Sequence, residues 1–543
     1  MAAVHDGNKD IAVRVKRFGS APRRRILLVN PASGDNLWTM GGTARLLGCK
    51  AVMPCSALPT LIALTPADVG VEYVLCDENV APIPAKLRCD LVAVTGYSVH
   101  GRRIAEICRQ FRARGIPVAL GGIFATVEPK KARELADYLF LGEAEHTWPA
   151  FLRAWIAGNP QPEYRQEEPI DMADSPPPDW SLVRRSDYLY GTVQTTRGCP
   201  HQCDFCEVVK VFGRTFRHKS IEQILAEVRA SHAVTREGIF FSDDNFVVNK
   251  KFTKDLLRAL IAYNATLKNP LSFATQATVA IAEDEELLRL LADARFELIF
   301  LGVESPRRSC LEEIGKTNVS RLDPVEAVTR ISRYGIPPFV GLICGFDHDD
   351  SQTFADLRNF IDATASPVAT ITLLNAAPDT PLHRRLAAEN RVTDTFAGEW
   401  YFGTNIVPRA MSMDQLLDGH HRLLCEIYET GRFHARLHRW LSTIEYQSPV
   451  HAKGHGLLAN LNRFLRILFA YCVRAPREER KAFLRGMRET AAMGSKLMRP
   501  YMMLMCHYWH FFQFVKRATW QTGRAPAPLD APAAANVEAQ PAP

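Results

Sequence analysis

No run of about 18 apolar residues, the length that spans a bilayer, occurs in this chain, and no internal repeat is visible. Met1 to Asp10 is polar, carries Asp6, Lys9 and Asp10, and lacks the apolar centre of a secretory leader. A disulfide framework is also missing: the thirteen cysteines are odd in number and scattered through 543 residues. Only one group is tightly spaced, and such a group in a reducing compartment points to metal. The expectation is a cytoplasmic protein.

What is present suits a large globular chain. With 47% hydrophobic and 23% charged residues over 543 positions, two or three cored domains are expected. The charge is unevenly placed. Arg432 to Arg524 holds 17 Lys and Arg against 4 Asp and Glu, although the whole chain is only +7. A basic C-terminal region on an acidic body argues against a nucleic-acid protein and leaves a local anionic partner open.

Apolar runs of strand length alternate with helical stretches from the start. The first series is Ile26–Val29, Val71–Leu75, Leu91–Val94, Val118–Leu120 and Tyr138–Leu141, with helices expected at Arg103–Arg114 and Ala144–Ala157. This alternation implies a doubly wound parallel sheet. Glu163–Asp179, which contains Ser175-Pro176-Pro177-Pro178, reads as a linker. A second series follows at Gly191–Thr195, Gly238–Ser242, Ser272–Gln276, Leu298–Gly302, Phe339–Cys344 and Thr370–Leu374. Six such units fit a partial (β/α) barrel, although pattern alone does not separate a barrel from a second Rossmann-type sheet. Beyond Pro408 the pattern is helical and basic. The expected organisation is a disordered lead-in at 1–22, an α/β domain at 23–160 and a linker at 161–187. A barrel at 188–400, a helical region at 401–522 and a disordered tail at 523–543 complete it.

The run Thr195-Thr196-Arg197-Gly198-Cys199-Pro200-His201-Gln202-Cys203-Asp204-Phe205-Cys206 follows directly on a strand. Cubane iron–sulfur clusters normally take four thiolates. Cys199, Cys203 and Cys206 supply three from one short loop and leave the fourth iron open for a substrate. The alternative is a zinc knuckle, which wants four ligands and finds only His201 nearby.

This CxxxCxxC loop resembles the signature of the radical S-adenosylmethionine superfamily, whose fold is a (β/α) barrel with the cluster in its first loop. Other positions agree in order over residues 190–380. Phe205 matches the aromatic position beside the adenine. Asp243, Asp244 and Asn245, after the second strand, match the contacts to the methionine end, and Gln276 lies on the third. Glu304 and Ser305 sit in a GxES-like element, and Gly341 and Gly345 match the glycine-containing strand near the adenine. The resemblance makes all of these S-adenosylmethionine contacts, and all fall at or near the carboxyl ends of strands, where barrel enzymes build their sites. A preceding doubly wound sheet resembles the cobalamin-binding subfamily, with Ser98, Gly121, Gly122 and Glu143 on turns that would meet the cofactor. No DxHxxG motif supplies an axial histidine, a departure from the wider cobalamin-binding group.

Domain order and the basic helical end most resemble the hopanoid C-2 methylase group. The resemblance implies methyl transfer to an unactivated carbon, on a hopanoid or other lipid, with a four-iron cluster, S-adenosylmethionine and cobalamin. It also implies a flavodoxin or ferredoxin as electron donor. No acid–base or nucleophile residue is evident. A radical rearrangement or oxidative cyclisation, and a cofactor-binding sensor, are the alternatives. For Tyr501–Val515 two readings stand: a helix lying peripherally on an anionic membrane, or a helix packed on the barrel, with the second weighed ahead.

Overall fold

The computed structural model describes residues 14–516 except 21, 35, 317–319, 394–402 and 450–456. The expected disordered tail and most of the lead-in lie outside these residues. Seven strands build the first sheet: β1 (Lys16–Arg17), β2 (Arg24–Asn30), β3 (Val71–Asp77), β4 (Leu91–Thr95), β5 (Val118–Gly121), β6 (Tyr138–Leu141) and β7 (Glu163–Arg165). Their order is β1-β3-β2-β4-β5-β6-β7, and every pairing is parallel except β1 with β3. Ile26, Leu27, Leu28 and Val29 at its centre are fully buried, as strands covered on both faces must be. Winding reverses between β2 and β4, so a crevice opens at their carboxyl ends.

Two expectations are corrected here. Residues 16–17 of the lead-in and 163–165 of the linker are edge strands of this sheet. Neither carries an apolar run, because an edge strand of two or three residues is held by backbone pairing and needs no buried side chains.

The second sheet holds six of the remaining strands, which are β8 (Tyr190–Val193), β9 (Thr196–Arg197), β10 (Arg217–His218), β11 (Gly238–Phe241), β12 (Ser272–Thr278), β13 (Phe296–Glu304), β14 (Pro338–Cys344) and β15 (Val368–Leu373). The order is β15-β14-β13-β12-β11-β8, with β9 and β10 forming a separate pair. Each strand joins its predecessor in parallel without reversal. That progression is the winding of a barrel, and β8 and β15 do not join, so it is a partial one.

The two halves meet along β8. Ala51 bridges Tyr188, the Thr192 hydroxyl donates to the Pro54 carbonyl at 2.9 Å, and the Tyr188 hydroxyl donates to Asp77 at 2.8 Å.

Helices connect the strands of both sheets, and six others bear on the site and the C-terminal region: α1 (Gly41–Leu46), then α2 (Met413–Ile427), α3 (Thr430–Thr443), α4 (Leu457–Phe469), α5 (Arg477–Met493) and α6 (Met498–Val515). Twelve of the 18 residues of α6 are buried, and they share one continuous core with the barrel strands. A helix apolar on all sides is a core helix, so the membrane-lying reading of Tyr501–Val515 is overturned. His510 Nδ1 accepts from Gly42 N at 3.2 Å and Nε2 bonds the Asn36 carbonyl at 3.0 Å, joining α6 to the first half. No described helix is long and apolar enough to cross a membrane.

Candidate active site

Strands β9 and β10 pair Thr196 with His218 and Arg197 with Arg217. The cysteine loop therefore rises from the carboxyl end of β8 with its base closed. Gly198, at φ +87°, turns the chain into it, and a Cβ there would lie 2.3 Å from the Thr215 carbonyl, so no other residue fits. Farther on, Asp204 N donates to the Ile314 carbonyl at 3.1 Å and Leu382 N donates to the Asp204 carbonyl at 3.1 Å. These bonds fasten the loop to the barrel.

Cys199, Cys203 and Cys206 are half-buried free thiols. Burial pushes all three pKa values up, that of Cys206 to about 12, and Cys203 and Cys206 are raised further by neighbouring thiols. Among the described residues no three His, Cys, Asp or Glu side chains stand at metal-ligating separation. The donors nevertheless fit an iron–sulfur cluster. They are soft and close enough to repel as thiolates, and they have Lys316 beside them to offset negative charge.

The two aspartates after β11 differ sharply. Asp243 is spent: one carboxylate oxygen accepts from Thr195 N and Thr196 N at 2.7 Å each, and the other from the Thr195 hydroxyl at 2.6 Å. It braces the base of the cysteine loop. Its neighbour Asp244 has a buried oxygen, Oδ2, with no partner. Burial, and then Asp243, push the Asp244 carboxyl up to about 7, and its charge is felt at Cys199 and Cys206. An orphaned carboxylate oxygen near Cys199 and Cys206 is a place for a cationic group.

Glu304 adopts φ +65° and its carboxylate accepts from Lys316 Nζ at 2.6 Å. Lys316 also donates to the Gly302 carbonyl at 3.0 Å. Phe205 packs on the core of Cys310, Ile343 and Phe346. Asn245 and Ser305 hold turns, accepting from Val247 N at 3.3 Å and Arg307 N at 3.1 Å. Gln276 receives Phe246 N on its backbone carbonyl. The strand glycines have close neighbours. A Cβ on Gly341 would fall 2.3 Å from the Phe300 ring. Gly345 donates its N–H to Asp349 at 2.7 Å and shapes a turn.

The first sheet reaches the same loop. Arg197 donates to Glu143 at 2.7 Å and to Glu145 at 2.8 Å. Glu143 also takes Arg217 at 3.0 Å and Ile170 N at 2.9 Å. The Glu143 side chain is thus a brace between the two halves. Ser98 donates to Glu207, one residue past Cys206, at 3.3 Å. Gly121 and Gly122 serve close packing: a Cβ would meet Phe140 at 3.3 Å and Thr95 Oγ1 at 2.4 Å respectively, and Gly122 has φ +86°. In the crevice, His100 Nδ1 accepts from Tyr97 N at 3.0 Å and its Nε2 bonds the Ser33 hydroxyl at 2.8 Å. Burial brings its pKa down to about 4, so the ring is neutral with both nitrogens occupied. Tyr97 is 54% exposed; neighbouring atoms desolvate its hydroxyl and push the pKa up to about 12, with Cys55 and then Asp244 adding to the rise.

Trp38, from the loop after β2, lays its ring 4.4 Å from Phe300 and 5.8 Å from Phe339. It brings an aromatic wall from the first half onto β13 and β14, with Phe339 buried at the amino end of β14. Sequence reading missed Trp38, Tyr97, Lys316 and the Arg197 pairs. Only the acidic Glu143-Ala144-Glu145 run offered a signal for any of them.

A family model, the radical SAM superfamily, matches residues 193–361, and a domain of unknown function (DUF4070) matches 380–522. The hopanoid C-2 methylase of Rhodopseudomonas palustris is 34% identical over 377 residues, 68% of this chain and 71% of that protein. An uncharacterized methyltransferase of Synechocystis is 33% identical over 378 residues, 69% and 70% of the two chains. Among solved structures, OxsB, described as a cobalamin-dependent S-adenosylmethionine radical enzyme, superposes with TM-score 0.59 at 13% identity, covering 91% of this chain and 80% of its own.

Proposed function

The chain belongs to the radical S-adenosylmethionine superfamily, among its methylases, and from that premise we propose that it transfers a methyl group to an unactivated carbon of an apolar polycyclic substrate. One observation carries the reading: three free thiols on a loop locked onto a separate α/β sheet lie beside the orphaned carboxylate of Asp244, which follows β11. Cys199, Cys203 and Cys206 would hold a four-iron cluster, which supplies the single electron that splits S-adenosylmethionine; a flavodoxin or ferredoxin would deliver that electron. Cobalamin would sit in the crevice of the first sheet, near Tyr97 and Ser98.

The chain's own residues divide the remaining work. Asp244 offers its free oxygen to the cationic methionine end of S-adenosylmethionine, and the Glu304–Lys316 pair sets the charge opposite. Asp243 and Arg197 fix the loop. Phe205 remains on the loop as the aromatic beside the adenine, while Gln276, Asn245 and Ser305 shape the surrounding strand ends. Trp38, packed on Phe300, offers an aromatic surface suited to a flat apolar substrate, in keeping with the hopanoid methylase among the relatives. An sp³ carbon has no acidic proton for a general base, and no base–nucleophile pair is needed.

The test supplies methyl-deuterated S-adenosylmethionine and hopanoid or related terpenoid lipids to the anaerobically reconstituted enzyme. Label in the lipid, together with deoxyadenosine and S-adenosylhomocysteine, supports the reading. Deoxyadenosine and an altered lipid without label would replace it with a rearrangement or cyclisation. The Cys199, Cys203 and Cys206 triple alanine variant should bind no iron and make neither product.

A further inference from the structure

On the far side of α4 from the core, Leu461, Leu465, Phe469 and Val473 are 49%, 53%, 49% and 60% exposed. They recur every four residues along α4 and its continuation as a π turn, Ala470–Arg474. At 1.5 Å per residue the line is about 18 Å long. Single exposed apolar side chains are ordinary, but a continuous row of large ones marks an interaction surface. The opposite face is firmly seated: Ile467, Ala470 and Tyr471 are buried, and the Tyr471 hydroxyl donates to the Met505 carbonyl at 2.8 Å. The row is therefore held rigidly outward.

Its surroundings are cationic. From 461 to 485 the chain has seven Lys and Arg against Glu478 and Glu479; Arg463 is paired with Glu237, and Glu479 is buried. The Arg474 guanidinium lies 5.0 Å from the Phe469 ring centre, beside the row. Arg477, Arg480, Lys481 and Arg485 on α5 are exposed, and none appears in an ion pair among the described residues.

We propose that this face docks the protein on an anionic lipid bilayer, with the row entering the boundary between headgroups and acyl chains and the arginines meeting lipid phosphates. An apolar line flanked by unpaired cations is the pattern of a helix that lies in a membrane interface. A second copy of the chain would bring the same positive charge and be repelled. An acidic protein would meet the arginines and leave the apolar row without a partner. The surface contains none of the cluster or substrate residues, so the proposal stands apart from the methyl-transfer reading.

The experiment is sedimentation of the full chain with vesicles of phosphatidylcholine alone, and of phosphatidylcholine with an equal part of phosphatidylglycerol. Binding should require phosphatidylglycerol and weaken as salt rises. It should fall roughly tenfold or more when Leu465, Phe469 and Val473 become serine, because three large apolar side chains then no longer enter the acyl region. Arg477→Gln with Arg480→Gln and Lys481→Gln, at exposed positions, should also lower binding while leaving thermal melting unchanged, which excludes misfolding as the cause. Absence of binding at low salt would overturn the proposal. So would binding unchanged in both variants, a dimer that the serine variant abolishes, or capture of an acidic flavodoxin that disappears in that variant without any vesicle binding.

Discussion

Arg197 and Glu145 form a buried ion pair at 2.8 Å that joins the cysteine loop of one half of the molecule to a turn of the other. Arg197 lies two residues before Cys199, so the first sheet is coupled directly to the loop that carries the thiols. The guanidinium is 10% exposed and the carboxylate 3%, so the pair has little water to screen it, and loss of one partner strands a buried charge.

Arg197→Met should therefore cost about 3–5 kcal/mol in urea unfolding. Arg197→Lys keeps the charge but cannot reach Glu143 and Glu145 together, and its stability should fall between wild type and the methionine variant. The same variants should load less iron during reconstitution. A stability indistinguishable from wild type would show that the halves do not depend on this pair.

The two adjacent aspartates should fail in different ways. Asp243→Asn turns one acceptor into a donor facing Thr195 or Thr196 and should cost about 1–3 kcal/mol, with iron retention falling. Asp244→Asn removes charge from an unpartnered group, so iron should stay while S-adenosylmethionine binds more weakly. Iron counts and equilibrium binding on both proteins check this; identical behaviour of the two would contradict the division of roles.

Gly341 tests whether the strand glycine serves packing. Its substitution by Ala places a methyl group 2.3 Å from the Phe300 ring and should destabilise by about 1–3 kcal/mol. Adding Phe300→Leu should recover much of that loss, a coupling measurable by a double-mutant cycle. A glycine kept only for a cofactor would show no such rescue.

Trp38→Ala should leave iron loading and deoxyadenosine formation intact and raise KM for an apolar substrate roughly tenfold, the scale of removing one aromatic stacking partner. His510→Ala, which frees the Asn36 carbonyl and Gly42 amide from α6, should act in the same direction more weakly. Equal KM values across the three proteins would remove the aromatic wall from substrate recognition.

Local pattern and chemistry were enough for much of this molecule. Apolar runs of four or five residues located the principal strands of both sheets, because buried parallel strands must be apolar on both faces. The spacing of Cys199, Cys203 and Cys206 singled out the loop proposed to hold a cluster, because three thiols that close together have few other uses.

Tertiary structure decided which residues are free to act. Asp243 and Asp244 are chemically identical in sequence, and only the approach of Thr195 and Thr196 saturates one and leaves the other bare. The pairing of Glu143 with Arg197 and Arg217, from far along the chain, had no signature in the sequence. Edge strands β1 and β7 had no pattern to show, since backbone pairing alone makes them. The apolar run in α6 was legible, but its burial against the barrel was not: hydrophobicity states that a surface must be covered, and only the packed chain says by what.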